Sequence, residues 1–157
     1  MIRSTRKETN REFYREQRLP VFAPPGIAFP IAWTINSASS IAGALHVFNL
    51  QRDDPERRRF LGFQAAAWLL FAVFTTAYFE LHSPINGAAV TLGFSCVTAA
   101  SIRAAVRMKD WRAALSLLPT AAWLGLANPL AVTVAAWNRD EFWGVGPFVD
   151  PPKFLAE

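Results

Sequence analysis

A chain of 157 residues with 52% apolar residues and a net charge of +4 is about one domain long, and its single cysteine, Cys96, excludes an intrachain disulfide and a cysteine-based metal site. The basic balance does not point to nucleic acid, because the arginines flank apolar runs instead of lining a groove with stacking aromatics; anionic lipid headgroups are the expected partners. A mean hydropathy of +0.18 averages very apolar stretches with charged ends, so the distribution sets the class.

The first 20 residues hold six Lys or Arg and three Glu with almost no apolar run. They lack the apolar centre of a cleavable signal peptide, so a charged head over residues 1–20 is expected to stay on the protein as a surface helix or arm. Four stretches then follow with no Asp, Glu, Lys or Arg inside them: Val21 to Leu50, Phe60 to Phe79, Leu81 to Ile102 and Ala113 to Trp137. Each reaches the ~20 residues that cross ~30 Å of hydrocarbon. The pattern predicts an all-α polytopic membrane protein, a bundle of four transmembrane helices over residues 21–138, in a bacterial inner membrane or an organellar membrane.

Pro20, Pro24 and Pro25 precede the first helix, where a missing N–H is tolerated, and place its start near Gly26 and its end near Leu50. The loop QRDDPERRR turns the chain at Pro55, and the second helix is expected from about Arg59 to Phe79. Glu80 to Ile85 reads as a tight, solvated hairpin in which Ser83 caps the third helix and Pro84 opens it. The second and third helices are then antiparallel neighbours. The basic segment from Arg103 to Arg112 closes the third helix. In the fourth, Pro129 leaves the Gly125 carbonyl without its donor, so a bend is expected there, and Pro119 lies near the start. Residues 139–157 form a tail whose Phe142, Trp143, Phe148 and Phe154 suit an interface or a partner. With both termini on one side, each side carries eight Lys or Arg, so positive charge does not fix the orientation. The cost of translocating a basic head favours cytoplasmic termini.

Trp33, Asn36, Ser37, Ser40 and Ala44 recur at helical spacing along one stripe of the first helix. Such a stripe turns away from lipid. It reads either as helix packing, because Ala38/Ala42, Ser39/Gly43 and Ser40/Ala44 are small pairs four apart, or as a pocket wall in which Trp33 stacks on a flat apolar ligand and Asn36 orients it. His46, one turn above Ala42, reads either as an interfacial hydrogen-bonding group or as an axial ligand to the metal of a tetrapyrrole lying against the helix. His82 and Glu80 are too few for a metal site. Trp68, Phe71, Phe74, Tyr78 and Phe79 form an aromatic ridge open to packing, lipid or pocket roles. Trp123 and Asn128 lie about 140° apart on an ideal helix, so Asn128 is expected to bond locally beside the proline bend. No hydrolase, phosphate-binding or metalloprotease signature occurs, and no stretch holds a carboxylate; no catalytic residue is assigned and no enzymatic activity is expected.

The segment FAPPGIAFPIAWT, Phe22 to Thr34, resembles the tryptophan-rich sensory protein family, also called the translocator or peripheral benzodiazepine receptor (TspO/MBR) family. That family reads F-x-P-P-x-x-V-F-x-x-V-W-T there, and Phe22, Pro24, Pro25, Phe29, Trp33 and Thr34 match. YFELHSP, Tyr78 to Pro84, is similar to its F-F-G-L-H-S/R-P. PTAAWLGLANPL running on to Asn138 is similar to its last helix through Pro119, Trp123, Ala127, Leu130 and Asn138. The family's L-N-x-x-W-S falls on Leu70, Phe71, Phe74 and Thr75, and the Asn and Trp of its last helix fall on Ala131 and Ala135. The charged head stands where the family has a first span, so one side of the bundle is expected to be uncovered.

The resemblance implies a helical bundle that binds tetrapyrroles, sterols or related flat apolar molecules between helices. The expected pocket is lined by Phe29, Trp33, Asn36, Trp68, Phe71 and Trp123, with His46 as the candidate axial ligand to a porphyrin, haem or chlorophyll-type molecule. The competing expectation is an accessory or pigment-binding subunit of a respiratory or photosynthetic membrane complex, with other membrane subunits or a second copy as partner.

Overall fold

The computed structural model describes residues 12–50, 53–152 and 155. The first eleven residues of the head, Gln51 and Arg52 of the first loop, and Phe154 of the tail lie outside them. Among the described residues the fold is all-helical: α1 (Ala28–Phe48), α2 (Pro55–Thr75) running into a π-helical turn (Thr76–Glu80), α3 (Pro84–Arg107), α4 (Trp111–Ser116) and α5 (Leu118–Trp137). A short helical stretch at residues 12–16 precedes them, and the one β-type pairing is an isolated antiparallel bridge between Asp140 and Val145.

Among the described residues three helical runs are long and apolar enough to cross a membrane: Pro55–Glu80, Pro84–Arg107 and Trp111–Trp137. The sequence led to four. The remaining helix, α1, is 21 residues long, but Asn36, four Ser or Thr and His46 lower its hydropathy. Its polar stripe does turn inward, since Asn36 and Gly43 are buried while Ile31, Ile35, Ile41 and Leu45 are exposed. That exposed aliphatic face suits lipid.

Helix ends follow their caps. Asp54 accepts the Glu56 N–H at 2.8 Å with Pro55 in the first turn, so α2 starts four residues ahead of the Arg59 expected. Arginines 57–59 are good helix formers and lengthen it. Arg57 also reaches back to close α1, donating from Nε to the Val47 carbonyl at 3.0 Å and from Nη2 to the Phe48 carbonyl at 2.6 Å; a cation there also complements the negative end of the helix dipole. Ser83 caps α3 through the Asn86 N–H at 3.1 Å, as expected.

The last apolar stretch differs from expectation. Its helix continues through Pro129, and it is interrupted at Leu117, two residues ahead of Pro119. Pro119 cannot donate to the Leu115 carbonyl, and the preceding turn tightens so that the Leu117 N–H meets the Ala114 carbonyl at 3.2 Å. Asn128 bonds across helices, accepting from Ser95 Oγ at 2.9 Å, where a local backbone partner was expected.

The packing is strongest between α2 and α3, then between α3 and α5, which makes α3 the central helix. Two buried clusters sit near opposite ends. Val47, Phe60, Ala104, Ala105, Met108, Ala113, Ala114 and Leu117 fill one end. Phe13, Tyr78, Leu130 and Val134 fill the other. At the first end Ser39 Oγ donates to the Ser116 carbonyl at 2.6 Å, and Gly43 lies so close to α4 that an added Cβ would overlap Ser116 Oγ. Gly43→Ala is therefore expected to destabilise the bundle by about 1–3 kcal/mol through overpacking. Gly125→Ala, where a Cβ meets open space, should be neutral or slightly stabilising. Thermal unfolding of the two variants in detergent checks the contrast.

Candidate functional site

A cavity of about 990 Å³ opens beside the second cluster, whose Tyr78, Leu130 and Val134 line it. Its wall is drawn from every long helix: Phe29 and Trp33 of α1, Phe71 and Phe74 of α2, Thr91 and Phe94 of α3, Trp123 and Leu130 of α5. The rings pack in contacting groups. Trp33 lies 4.8 Å from Phe71 and 5.5 Å from Phe94, and Phe29 meets Trp123 edge to face at 5.3 Å. Rings at these separations are packed against one another, so the open space lies in front of them and not between them. Gly87 admits the Tyr78 ring, whose Cδ2 would stand 2.5 Å from a Cβ there.

Of the six pocket residues expected from the sequence, Phe29, Trp33, Phe71 and Trp123 line this cavity. Asn36 and Trp68 do not. They line a separate niche of about 20 Å³, together with Gln64, Thr98 and Thr120, and Trp33, Phe71 and Phe94 belong to both walls. The aromatic partition is shared because those three rings are wide enough to face two spaces at once.

His46 lies outside both linings. Its Nε2 pairs with Asp110 Oδ2 at 2.8 Å, joining the end of α1 to the start of α4. Burial works to raise the Asp110 carboxyl, but the Ala113 N–H and the His46 ring outweigh it and hold it below the ordinary carboxylate value. His82, read as part of a solvated turn, is half covered: Nδ1 meets Glu141 Oε2 at 2.8 Å, and Phe13 stacks on its ring at 4.7 Å and 17°.

Two features were not assigned a role from the sequence. The first is a strap formed by the amino-terminal segment. Tyr14, Arg15 and Leu19 line the cavity, and Phe13 is buried against Tyr78 at 5.5 Å. Asn138, at the end of α5, fastens the strap. Its Oδ1 accepts the Arg18 N–H at 2.7 Å, and its Nδ2 donates to the Arg18 carbonyl at 3.1 Å and to the Val134 carbonyl at 2.9 Å. A side-chain amide paired with one residue's backbone in both directions fixes position and direction together. The match of Asn138 to the family's last motif was the available signal.

The second is Asp140, fully buried, which fixes the tail. Its Oδ2 accepts from Ser83 Oγ at 2.7 Å and from the Ile85 N–H at 3.0 Å, and its Oδ1 accepts the Trp143 N–H at 2.9 Å. A carboxylate at the first turn of α3 adds to the Ser83 cap and complements the positive end of that helix.

Two outcomes follow. Asn138→Ala should free the strap at a cost of about 1–3 kcal/mol, read as faster tryptic cleavage at Arg15 and Arg18 with helix content unchanged. Asp110 has a folded-state pKa below its unfolded value, so its stabilising contribution is complete above the unfolded value and is lost as pH falls through the folded one. Melting temperature measured from pH 5 down to pH 3 should accordingly fall less steeply in Asp110→Asn, whose amide still caps α4.

Comparison with known proteins agrees with this architecture. No curated protein matches the chain. The family model described as TspO/MBR family matches residues 2–137, from within the charged head to the end of α5. With three helices able to cross a bilayer and a match over most of its length, the chain is a membrane protein that belongs to the TspO/MBR family.

Proposed function

We propose that the protein crosses the membrane with four helices, α1 included, and binds a flat hydrophobic molecule, a tetrapyrrole, sterol or similar compound, without transforming it. The observation that carries this reading is the cavity of about 990 Å³ walled by aromatic rings from all the long helices, at the upper end of the range usual for small-molecule sites. Among the described residues its lining holds no carboxylate, imidazole or thiol, which supports binding over catalysis. The lining fits the apolar faces of a macrocycle. Arg15, the one cation among the described lining residues, suits a carboxylate at the ligand's edge.

The reading is tested by adding protoporphyrin IX to the purified protein and following tryptophan fluorescence. Saturable quenching is expected, with the apparent Kd raised roughly tenfold or more in Trp33→Ala and in Trp123→Ala. Trp143→Phe, in the tail, should bind as the parent does. Quenching that is non-saturable or identical in all three variants would sink the reading.

A second reading, an accessory subunit of a larger membrane complex, draws on the tail. Phe142, Trp143 and Phe148 are exposed, yet the Trp143 indole is fixed by a 3.1 Å hydrogen bond to Asn86, so an ordered apolar surface faces outward. Co-migration with one large complex after gentle extraction, lost in Trp143→Ala, is the outcome it requires. A pigment held by His46 is a weaker version, because a metal would first have to displace Asp110 from Nε2.

A further inference from the structure

The niche behind the aromatic partition holds unanswered polar groups. Asn36 and Thr120 are each 3% exposed, and Asn36 Nδ2 and Thr120 Oγ1 are buried with no hydrogen-bond partner. Their neighbours are committed elsewhere: Gln64 Nε2 donates to Ser101 Oγ at 2.9 Å, and Ser40 Oγ donates to the Ser37 carbonyl at 3.2 Å. A buried polar group left unanswered is costly, and most so in an apolar surround. Two donors from different helices, α1 and α5, therefore face one space of about 20 Å³. That space exceeds the about 10–15 Å³ needed by one small polar group such as a water.

The niche abuts the large cavity through Trp33, Phe71 and Phe94, which line both. We infer that Asn36 and Thr120 form the polar end of the ligand site: they take one hydrogen-bond-accepting oxygen, a carbonyl or hydroxyl, of a molecule whose flat apolar body fills the cavity. The inference rests on the binding reading above and narrows its ligand class. Pure hydrocarbons are poor ligands, and an oxygen at one end of the flat body sets its direction. A water answers the two donors in the empty protein and leaves when the ligand oxygen arrives, so the exchange retains the hydrogen bonds. Passage requires the shared rings of Trp33, Phe71 and Phe94, which stand between the two spaces, to turn aside.

The test uses two probes that share a ring system, pyrene and 1-pyrenecarboxaldehyde, with energy transfer from tryptophan as the readout in lipid nanodiscs. The parent protein is expected to bind the aldehyde roughly tenfold more tightly than the hydrocarbon, because its oxygen keeps both donors answered while releasing the ordered water. Thr120→Val and Asn36→Leu, near-isosteric and unable to donate, should remove that preference while leaving pyrene affinity unchanged. Thr120→Val keeps the test open if Asn36→Leu does not fold. Equal affinity of the parent for both probes, or a preference that survives in the variants, overturns the inference and leaves the niche as the seat of a structural water only. Variants that weaken both probes alike assign Asn36 and Thr120 to packing and overturn it too. Failure of the parent to bind either probe overturns the cavity reading itself.

Discussion

The closed end of the bundle is the constraint on which the rest depends. Helices in lipid gain little from hiding apolar side chains, because the acyl chains outside are as apolar as the core; close backbone approach and hydrogen bonds must hold them instead. Those devices concentrate where α1 ends and α2 begins. Gly43 against Ser116, Ser39 bonded to Ser116, Gln64 bonded to Ser101, His46 paired with Asp110 and Arg57 on the α1 carbonyls all lie towards that end. Small residues, Ala104, Ala105, Ala113 and Ala114, let the backbones meet.

Because that end is clamped, the middle can stay hollow. A water-soluble bundle with a void of this size would forfeit hydrophobic and dispersion energy along its whole wall. In a bilayer the hydrophobic part of that loss is small, so the cavity can stay partly open. At its other end the strap packs against it and not a further helix pair. Phe13 wedges beside Tyr78 and His82, Asn138 holds the Arg18 backbone, and the tail is locked by Asp140. The side expected to lie uncovered is thus partly covered by the described part of the charged head.

The helices were legible because runs without charge report lipid contact directly, and the pocket rings were legible because Phe29, Trp33 and Trp123 sit in recognisable motifs. What escaped was long-range or masked. The start of α2 was hidden because arginines 57–59 read as loop, although charged side chains solvate a helix end as well as a turn. The break at Leu117 was missed because two prolines compete in one run, and sequence alone does not say which is accommodated. Asn128 looked local because its partner, Ser95, lies on another helix. Asn138 and Asp140 act on residues 120 and 57 positions away, and no local pattern announces such pairs. Hydropathy is low in α1 because its inward stripe, Asn36, Ser37 and Ser40, is the polar lining of the niche.

Where the family pattern carries Asn and Trp in its third helix, this chain carries Phe71 and Phe74, and both line the cavity. Where the last helix of the pattern carries Asn, Ala131 lines it too. Two hydrogen-bonding amides have thus been exchanged for a ring and a methyl group, and an indole for a phenyl. The wall has become a surface that stacks and does not orient, because an aromatic face accepts a flat partner at many in-plane angles. Orientation must then come from the ends. One end is Arg15 on the strap, the other the pair of unanswered donors on Asn36 and Thr120. Neither Asn36 nor Thr120 is among the residues that match the family's motifs, so under the proposed binding role the groups that set direction lie at the floor of the pocket and not in its walls.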